Sequence, residues 1–390
     1  MTQDEAARHI GVSRPTFVQI EAGHRTVSSL ELDRLAYLFG RDIRELVADA
    51  FVEEDALAAL FRAQADVAGQ PAVLEKLREC MAIGRELTSL EQLVGIDREL
   101  TSVPAHPLPP PKNRWEAIVQ GERLADEERR RLGLGSSPAP ELADLLESQG
   151  VRTGLVDLPD DVSGLALSDR RSGLIVVVNR AHHWLRRRFS FAHEYAHVVV
   201  DRDCFGTISR ASSRDDLVEV RANAFAACFL LPENGVRQLV SGLGKGKPSR
   251  VHAEVFDEAG ILSVEGRSKP GTQSLQLYDV IALAHHFAVS RPSALYRLRN
   301  LRFLTEAELA ALKALDEAGK GNQLAELLGL PEPRRTEARS SLKHRILGLA
   351  LEAFRRDEIS RAKLRELVTM VGLSAKDFIR LVESAGIVEP

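Results

Sequence analysis

The chain has 390 residues, with 52 Lys and Arg against 56 Asp and Glu, a net charge of −4 and 44% hydrophobic residues. This length and balance describe a globular chain of two to four domains, and the charge gives no global attraction to nucleic acid or to an acidic membrane surface. Cys80, Cys204 and Cys228 are isolated, no apolar run approaches the roughly 18 residues of a membrane helix, and Met1-Thr2-Gln3-Asp4-Glu5 lacks signal-peptide character, so a reducing cytoplasm and no membrane association are expected.

Residues 1–47 read as short helices joined by tight turns. Thr2 caps a helix running to Ile10, with Glu5 three residues on as its capping-box partner. Gly11-Val12 makes a turn, Ser13 caps a second helix with Pro15 in its first turn, and that helix stops at Gly23. A third begins at Ser28 and a fourth spans Ile43 to Val47. The wording Thr2-Gln3-Asp4-Glu5-Ala6-Ala7, Ile10-Gly11-Val12-Ser13-Arg14-Pro15-Thr16 and Ile20-Glu21-Ala22-Gly23 resembles the Xre family of helix-turn-helix regulators, without the first helix such domains carry. The resemblance implies that the second helix enters the major groove, with Arg14, Thr16 and Gln19 at base edges and Gln3 and Ser13 at phosphates. Six basic against seven acidic residues in this stretch predict weak DNA binding unless the chain forms a homodimer, and leave a protein-docking role as the alternative.

Residues 48–103 read as a helical connector of two or three helices. Pro104, Pro107, Pro109, Pro110 and Pro111 make residues 104–113 a stiff, extended linker. A charged helix from Trp115 to Arg131 then opens a domain expected to run over residues 114–302, followed by a shorter helix over Pro140–Gln149. The period changes next: Val151–Val156, Gly164–Ser168 and Leu174–Val178 read as strands, the last two forming a hairpin. The edge of such a sheet can take an extended substrate segment as an added strand.

The chemistry is concentrated in Arg188-Phe189-Ser190-Phe191-Ala192-His193-Glu194-Tyr195-Ala196-His197. Residues four apart on a helix share a face, so His193 and His197 can present two imidazoles to one tetrahedral metal. Glu194, one residue further round, can touch a water beside that metal without ligating it, and act as general base. After a polar loop from Thr207 to Asp216, a second apolar helix begins at Leu217 and ends at Pro232. Glu219 in its first turn is the candidate third donor. Asn223, one turn on, is positioned to hydrogen-bond a ligand. The competing reading of the histidines is a pair of satisfied core residues, and of Glu219 a solvated helix-start carboxylate.

These two helices, with Leu230-Leu231-Pro232, resemble the ImmA/IrrE family of metallo-endopeptidases over about Val151–Leu301. The resemblance implies a gluzincin-like α+β fold, a catalytic metal (zinc, or another divalent ion such as manganese), and cleavage of helix-turn-helix repressors. The sequence departs from the family's usual pattern at Val220-Arg221, where many members carry a second acidic residue, and at Asp201, where a further His is common.

Leu239–Gln273 is rich in Gly, Lys and Ser and reads as mobile loop, an insertion or lid. A helix over Leu275–His286 follows, with His285 and His286 read as surface or core residues. Val289-Ser290-Arg291-Pro292-Ser293 repeats the wording of Val12-Ser13-Arg14-Pro15-Thr16, as a second helix-turn-helix-shaped unit with a structural role. Residues 303–390 read as a helical domain for sensing or partner binding. The expectation is therefore a multidomain, mainly α protein with a small β-sheet: a cytoplasmic DNA-binding regulator carrying a zinc endopeptidase that cuts a repressor-type protein in a stress or mobile-element response. The alternatives are a regulator whose metal is structural or sensory, and an antitoxin-like interaction protein.

Overall fold

The computed structural model describes residues 3–39, 43–47, 71–96, 103–169, 171–202, 206–210, 212–246, 250–257, 260–267, 269, 271–330 and 341–384. The chain divides into two compact units, one gathering residues 1–96, 169–172 and 348–390, the other 97–168 and 173–347. Helices dominate, and the second unit carries a small mixed sheet. Among the described residues no helix is long and apolar enough to cross a membrane.

In the first unit, α1 (Gln3–Ile10), α2 (Arg14–Glu21), α3 (Ser29–Phe39) and α4 (Ile43–Leu46) follow one another. Ser13 is extended and its Oγ accepts from Thr16 N, so it caps α2, with Pro15 in the first turn. Gly11 turns the chain between α1 and α2 at φ +78°, a conformation a side chain would strain. Ala6, Ala7, Ile10, Phe17, Leu35 and Leu38 close a small core. Of the expected connector, α5 (Pro71–Val94) is one 24-residue helix, and its other parts, residues 48–70 and 97–102, lie outside the described residues.

The second unit opens with residues 103–112, which include the proline-rich stretch. His106 N–H donates to the Val199 carbonyl at 2.9 Å, and Gln120 Nε2 donates to Pro109 O. Asn113 caps α6 (Arg114–Arg131) by accepting from Glu116 N, and α7 (Leu142–Ser148) follows. The strands are β1 (Arg152–Val156), β2 (Val162–Asp169) and β3 (Gly173–Asn179). After α8 (Trp184–Val200) comes β4 (Gly206–Arg210), giving a sheet of order β1-β3-β2-β4. β1 and β3 are parallel, while β2 and β4 are antiparallel with an irregularity between Val162 and Gly164. β3 is buried along its whole length, which explains its unbroken Leu-Ile-Val-Val-Val run.

α8 is buried from Ser190 to Val199 among β3, α9 (Leu217–Leu230) and the helices around it. α6 and α9 run side by side in the same direction: Arg114 meets Asp215 at one end, and Arg129 reaches the Phe229 carbonyl at the other. Gly121 lets them approach, since a Cβ there would strike Arg221 O and come within 2.8 Å of Phe225 N. A fully buried Glu128 on α6 accepts from Arg131 and from the Tyr195 hydroxyl of α8 at 2.8 Å. α10 (Glu233–Gly242) completes this part.

Residues 239–273, expected as mobile loop, instead hold the end of α10 and the antiparallel pair β5 (Arg250–Asp257) and β6 (Gly260–Arg267), in register from Arg250↔Arg267 to Asp257↔Gly260. Val251, Ala253 and Val255 alternate with polar residues at period two, a strand signal that the surrounding Gly, Lys and Ser obscured. β4 likewise lies in the expected polar loop. α11 (Leu277–Phe287) and α12 (Arg291–Asn300) follow, with Ser290 capping α12 as Ser13 caps α2. Then come α13 (Glu306–Glu317), α14 (Lys320–Leu327), α15 (Ser341–Arg355), α16 (Arg361–Met370) and α17 (Ala375–Ser384). Within the first unit Lys363 of α16 pairs with Glu86 of α5 at 2.8 Å.

Candidate metal centre

One turn of α8 separates His193 from His197, and their ring centroids lie 5.0 Å apart. The two Nε2 atoms face each other at 3.2 Å. Glu219, in the first turn of α9, brings Oε2 to 3.1 Å from His193 Nε2 and Oε1 to 3.4 Å from His197 Nε2. One donor atom from each of the three residues falls within 4.8 Å of the others, and all three residues are buried.

The far side of each imidazole is also occupied. His193 Nδ1 lies 3.0 Å from Asn223 Oδ1, and His197 Nδ1 lies 2.9 Å from Asp201 Oδ2. With Asn223 Oδ1 and Asp201 Oδ2 accepting, a neutral ring keeps its proton on Nδ1 and directs the Nε2 lone pair inward. Two lone pairs and a carboxylate then converge with no donor among them. Such a cluster requires positive charge at its centre, from protons or from a cation. The ionisation pattern expresses the same demand. Burial raises the Glu219 carboxyl, but hydrogen bonds from His193 and His197 outweigh it and bring the pKa down to about 2. Burial opposes charge on His197, but Asp201, Glu219 and the nearby Glu194 outweigh it and bring the pKa up to about 10. The donor set of two imidazoles and one carboxylate fits a divalent metal with one position left over.

Asp201 is itself fixed. Its second oxygen accepts from the guanidinium of Arg221, a residue 2% exposed that also meets Gln120 Oε1. Burial raises the Asp201 carboxyl, and His197 and Arg221 together hold it below the usual range. The two positions where the sequence departs from the ImmA/IrrE pattern are thus one ion pair behind His197, with Arg221 buried and Asp201 part-buried. Asp201 was within reach of sequence reasoning, because it lies four residues after His197 on the same helix face.

Glu194 is fully buried, and among the described residues neither carboxylate oxygen has a hydrogen-bond partner. Burial raises its pKa above the ordinary carboxylate range, with His193 and His197 pulling the other way. Among buried acids, one with no partner beside a cation-seeking cluster is the arrangement of a proton-transfer group. Tyr195 points elsewhere, into its bond with Glu128. His285 and His286 lie outside the donor cluster.

The residues expected at DNA occupy exposed or half-exposed positions on α1 and α2. Gln3 Nε2 donates to Glu21, Arg14 lies 4.0 Å from Asp4, and Ser13 and Thr16 pair through their hydroxyls at 2.8 Å, while Gln19 is exposed.

Residues 146–247 match the family model Peptidase_M78, described as the IrrE N-terminal-like domain. The matched span runs from α7 past α10 and contains all three donors, Glu194, Asp201, Arg221 and Asn223. No curated protein matches the chain's sequence significantly.

Proposed function

We propose that the chain is a metal-dependent endopeptidase of the ImmA/IrrE kind, with an amino-terminal Xre-like helix-turn-helix module that binds DNA. The observation that carries the reading is Glu194: a buried carboxylate kept without a partner, next to two imidazoles and a carboxylate that call for a divalent cation. His193, His197 and Glu219 hold zinc or a related ion, and Asn223 and Asp201 keep the two imidazoles aimed at it. The bound metal supplies Lewis acidity, polarising a substrate carbonyl and making a water acidic enough to lose its proton near neutral pH. Glu194 takes that proton and returns it to the leaving amine, and its raised proton affinity suits both steps.

The substrate is a protein, of the repressor type that the family resemblance implies. β4 ends the sheet order, so an extended segment can add to it as a further strand across from β2 and present a peptide bond to the site. The near-zero charge of residues 1–47 makes DNA binding depend on a homodimer. Arg14→Ala and Gln19→Ala then weaken binding measured by fluorescence anisotropy, and unchanged binding removes the groove assignment.

A metal that is structural or sensory is the second reading, favoured by the enclosure of the donors, which are 5%, 2% and 8% exposed at His193, His197 and Glu219. Three protein donors in place of four argue for catalysis. Glu194→Gln separates the two. The variant keeps its metal by elemental analysis, and a proteomic comparison of cells carrying it with cells carrying wild type reveals a protein that persists only in the variant. Equal fragment patterns in the two would end the peptidase reading.

A further inference from the structure

A buried carboxylate with neither oxygen hydrogen-bonded needs something else to hold it in one orientation. Here the sheet does so. Gly164 of β2 lies against Glu194: a Cβ on Gly164 would come 2.8 Å from Oε1, 3.0 Å from Cγ and 3.0 Å from the Val177 carbonyl oxygen. The φ of Gly164 is outside the left-handed region, so glycine is required there for space and not for backbone freedom. Directly across the antiparallel pair, Gly164 is in register with Ser209 of β4. Ser209 is 2% exposed, and its Oγ has no hydrogen-bond partner among the described residues. Its carbonyl is held at 3.2 Å by the Ser163 hydroxyl, which fixes the strand at that point. An uncommitted buried hydroxyl thus sits beside an uncommitted buried carboxylate.

We propose that the cross-strand pair Gly164 and Ser209 is the seat of the base: Gly164 sets how closely the Glu194 carboxylate lies against the sheet, and Ser209 Oγ is the donor that steadies it during proton transfer. Both are positioning residues, and neither belongs to the metal-donor set. The catalytic consequence rests on the peptidase reading, whereas the seat itself is a property of the fold. A methyl at position 164 meets the Glu194 carboxylate, the far end of a flexible side chain, and also the Val177 carbonyl oxygen, so it displaces the first and presses on the second. The contact with the Val177 carbonyl costs the same with or without Glu194, whereas the part of the cost that comes from displacing the seated rotamer is present only while Glu194 is.

The test is a double-mutant cycle on the full chain, with thermal midpoints for wild type, Gly164→Ala, Glu194→Ala and the double variant. Gly164→Ala is expected to shift the midpoint less favourably with Glu194 present than in the Glu194→Ala background, and equal shifts overturn the seat. Gly164→Ala and Ser209→Ala keep stoichiometric zinc, and loss of zinc in both counts against it as well. With a peptide spanning the bond cut in cells, kcat falls on the order of 10²-fold for Gly164→Ala. It falls roughly tenfold for Ser209→Ala, with KM unmoved in each. An unchanged kcat in both, while Glu194→Gln abolishes cleavage, overturns the proposal. If wild type cuts nothing, the peptidase reading fails, and the stability cycle alone decides the seat.

Discussion

Glu194 is a cost to the fold that only a function explains. A buried carboxylate with no hydrogen-bond partner is destabilising, because water solvates the charge in the unfolded chain and nothing replaces that solvation in the folded one. In the metal-free protein the imidazoles of His193 and His197 lessen the cost without removing it, since the carboxyl still titrates above its ordinary range. A raised folded pKa means that the folded state binds the proton more tightly. The associated stability is present at acid pH and is lost as pH rises from the unfolded carboxylate range through the folded value. Metal-free Glu194→Gln is therefore expected to unfold at a higher temperature than metal-free wild type at pH 7, with the gap closing as pH falls towards 4.5. A wild type that is equally or more stable at pH 7 would show that the carboxylate has found a partner. The donors were legible because each follows from a local rule: a spacing of four positions from His193 to His197, and a first-turn position for Glu219. Gly164 and Ser209 were not, because only the register of β2 against β4 brings them to Glu194, and no local pattern encodes a strand's register.

At the level of elements, the centre depends on how α9 lies against α8 and α6, since α9 supplies both Glu219 and Asn223. The close approach of α6 to α9 passes through Gly121, where a methyl would meet backbone atoms of Arg221 and Phe225 that cannot swing aside. Gly121→Ala is expected to destabilise the protein by about 1–3 kcal/mol, overpacking outweighing the gain in helix propensity. Gly348, inside α15 with nothing within 4 Å of its absent Cβ, is the control. Alanine there stabilises by up to about 1 kcal/mol through propensity alone. Urea unfolding of the two variants checks the contrast, and equal effects would show that the helices do not need the close approach. The helices were readable from period and caps, with α6 and α9 within a residue or two of expectation. β4 was missed because five residues, Gly-Thr-Ile-Ser-Arg, are too few to show a period, and β5 and β6 because the Gly, Lys and Ser around them hid an alternation that is present.

At the level of the whole molecule, the division into two units separates the metal centre from α1–α4. The three donors all lie within residues 173–347, in the second unit. Metal binding to the folded state alone raises that unit's stability by mass action, by about 2.7 kcal/mol when free metal is 100 times its dissociation constant. The first unit contains none of the donors and gains nothing directly. Calorimetry with and without zinc is then expected to move the transition of the second unit upwards and leave that of the first in place. His193→Ala, which removes a donor, abolishes the shift. Because the donors must shed protons to bind, the shift also shrinks as pH falls. A zinc-dependent rise in both transitions would mean that the units unfold as one, and that metal occupancy is sensed at the amino-terminal helices. Such coupling would give the DNA-binding reading a route by which loss of metal alters the regulator. Independent transitions would instead mean that α1–α4 do not report on metal occupancy, and under the proposed function would leave them the part of a tether.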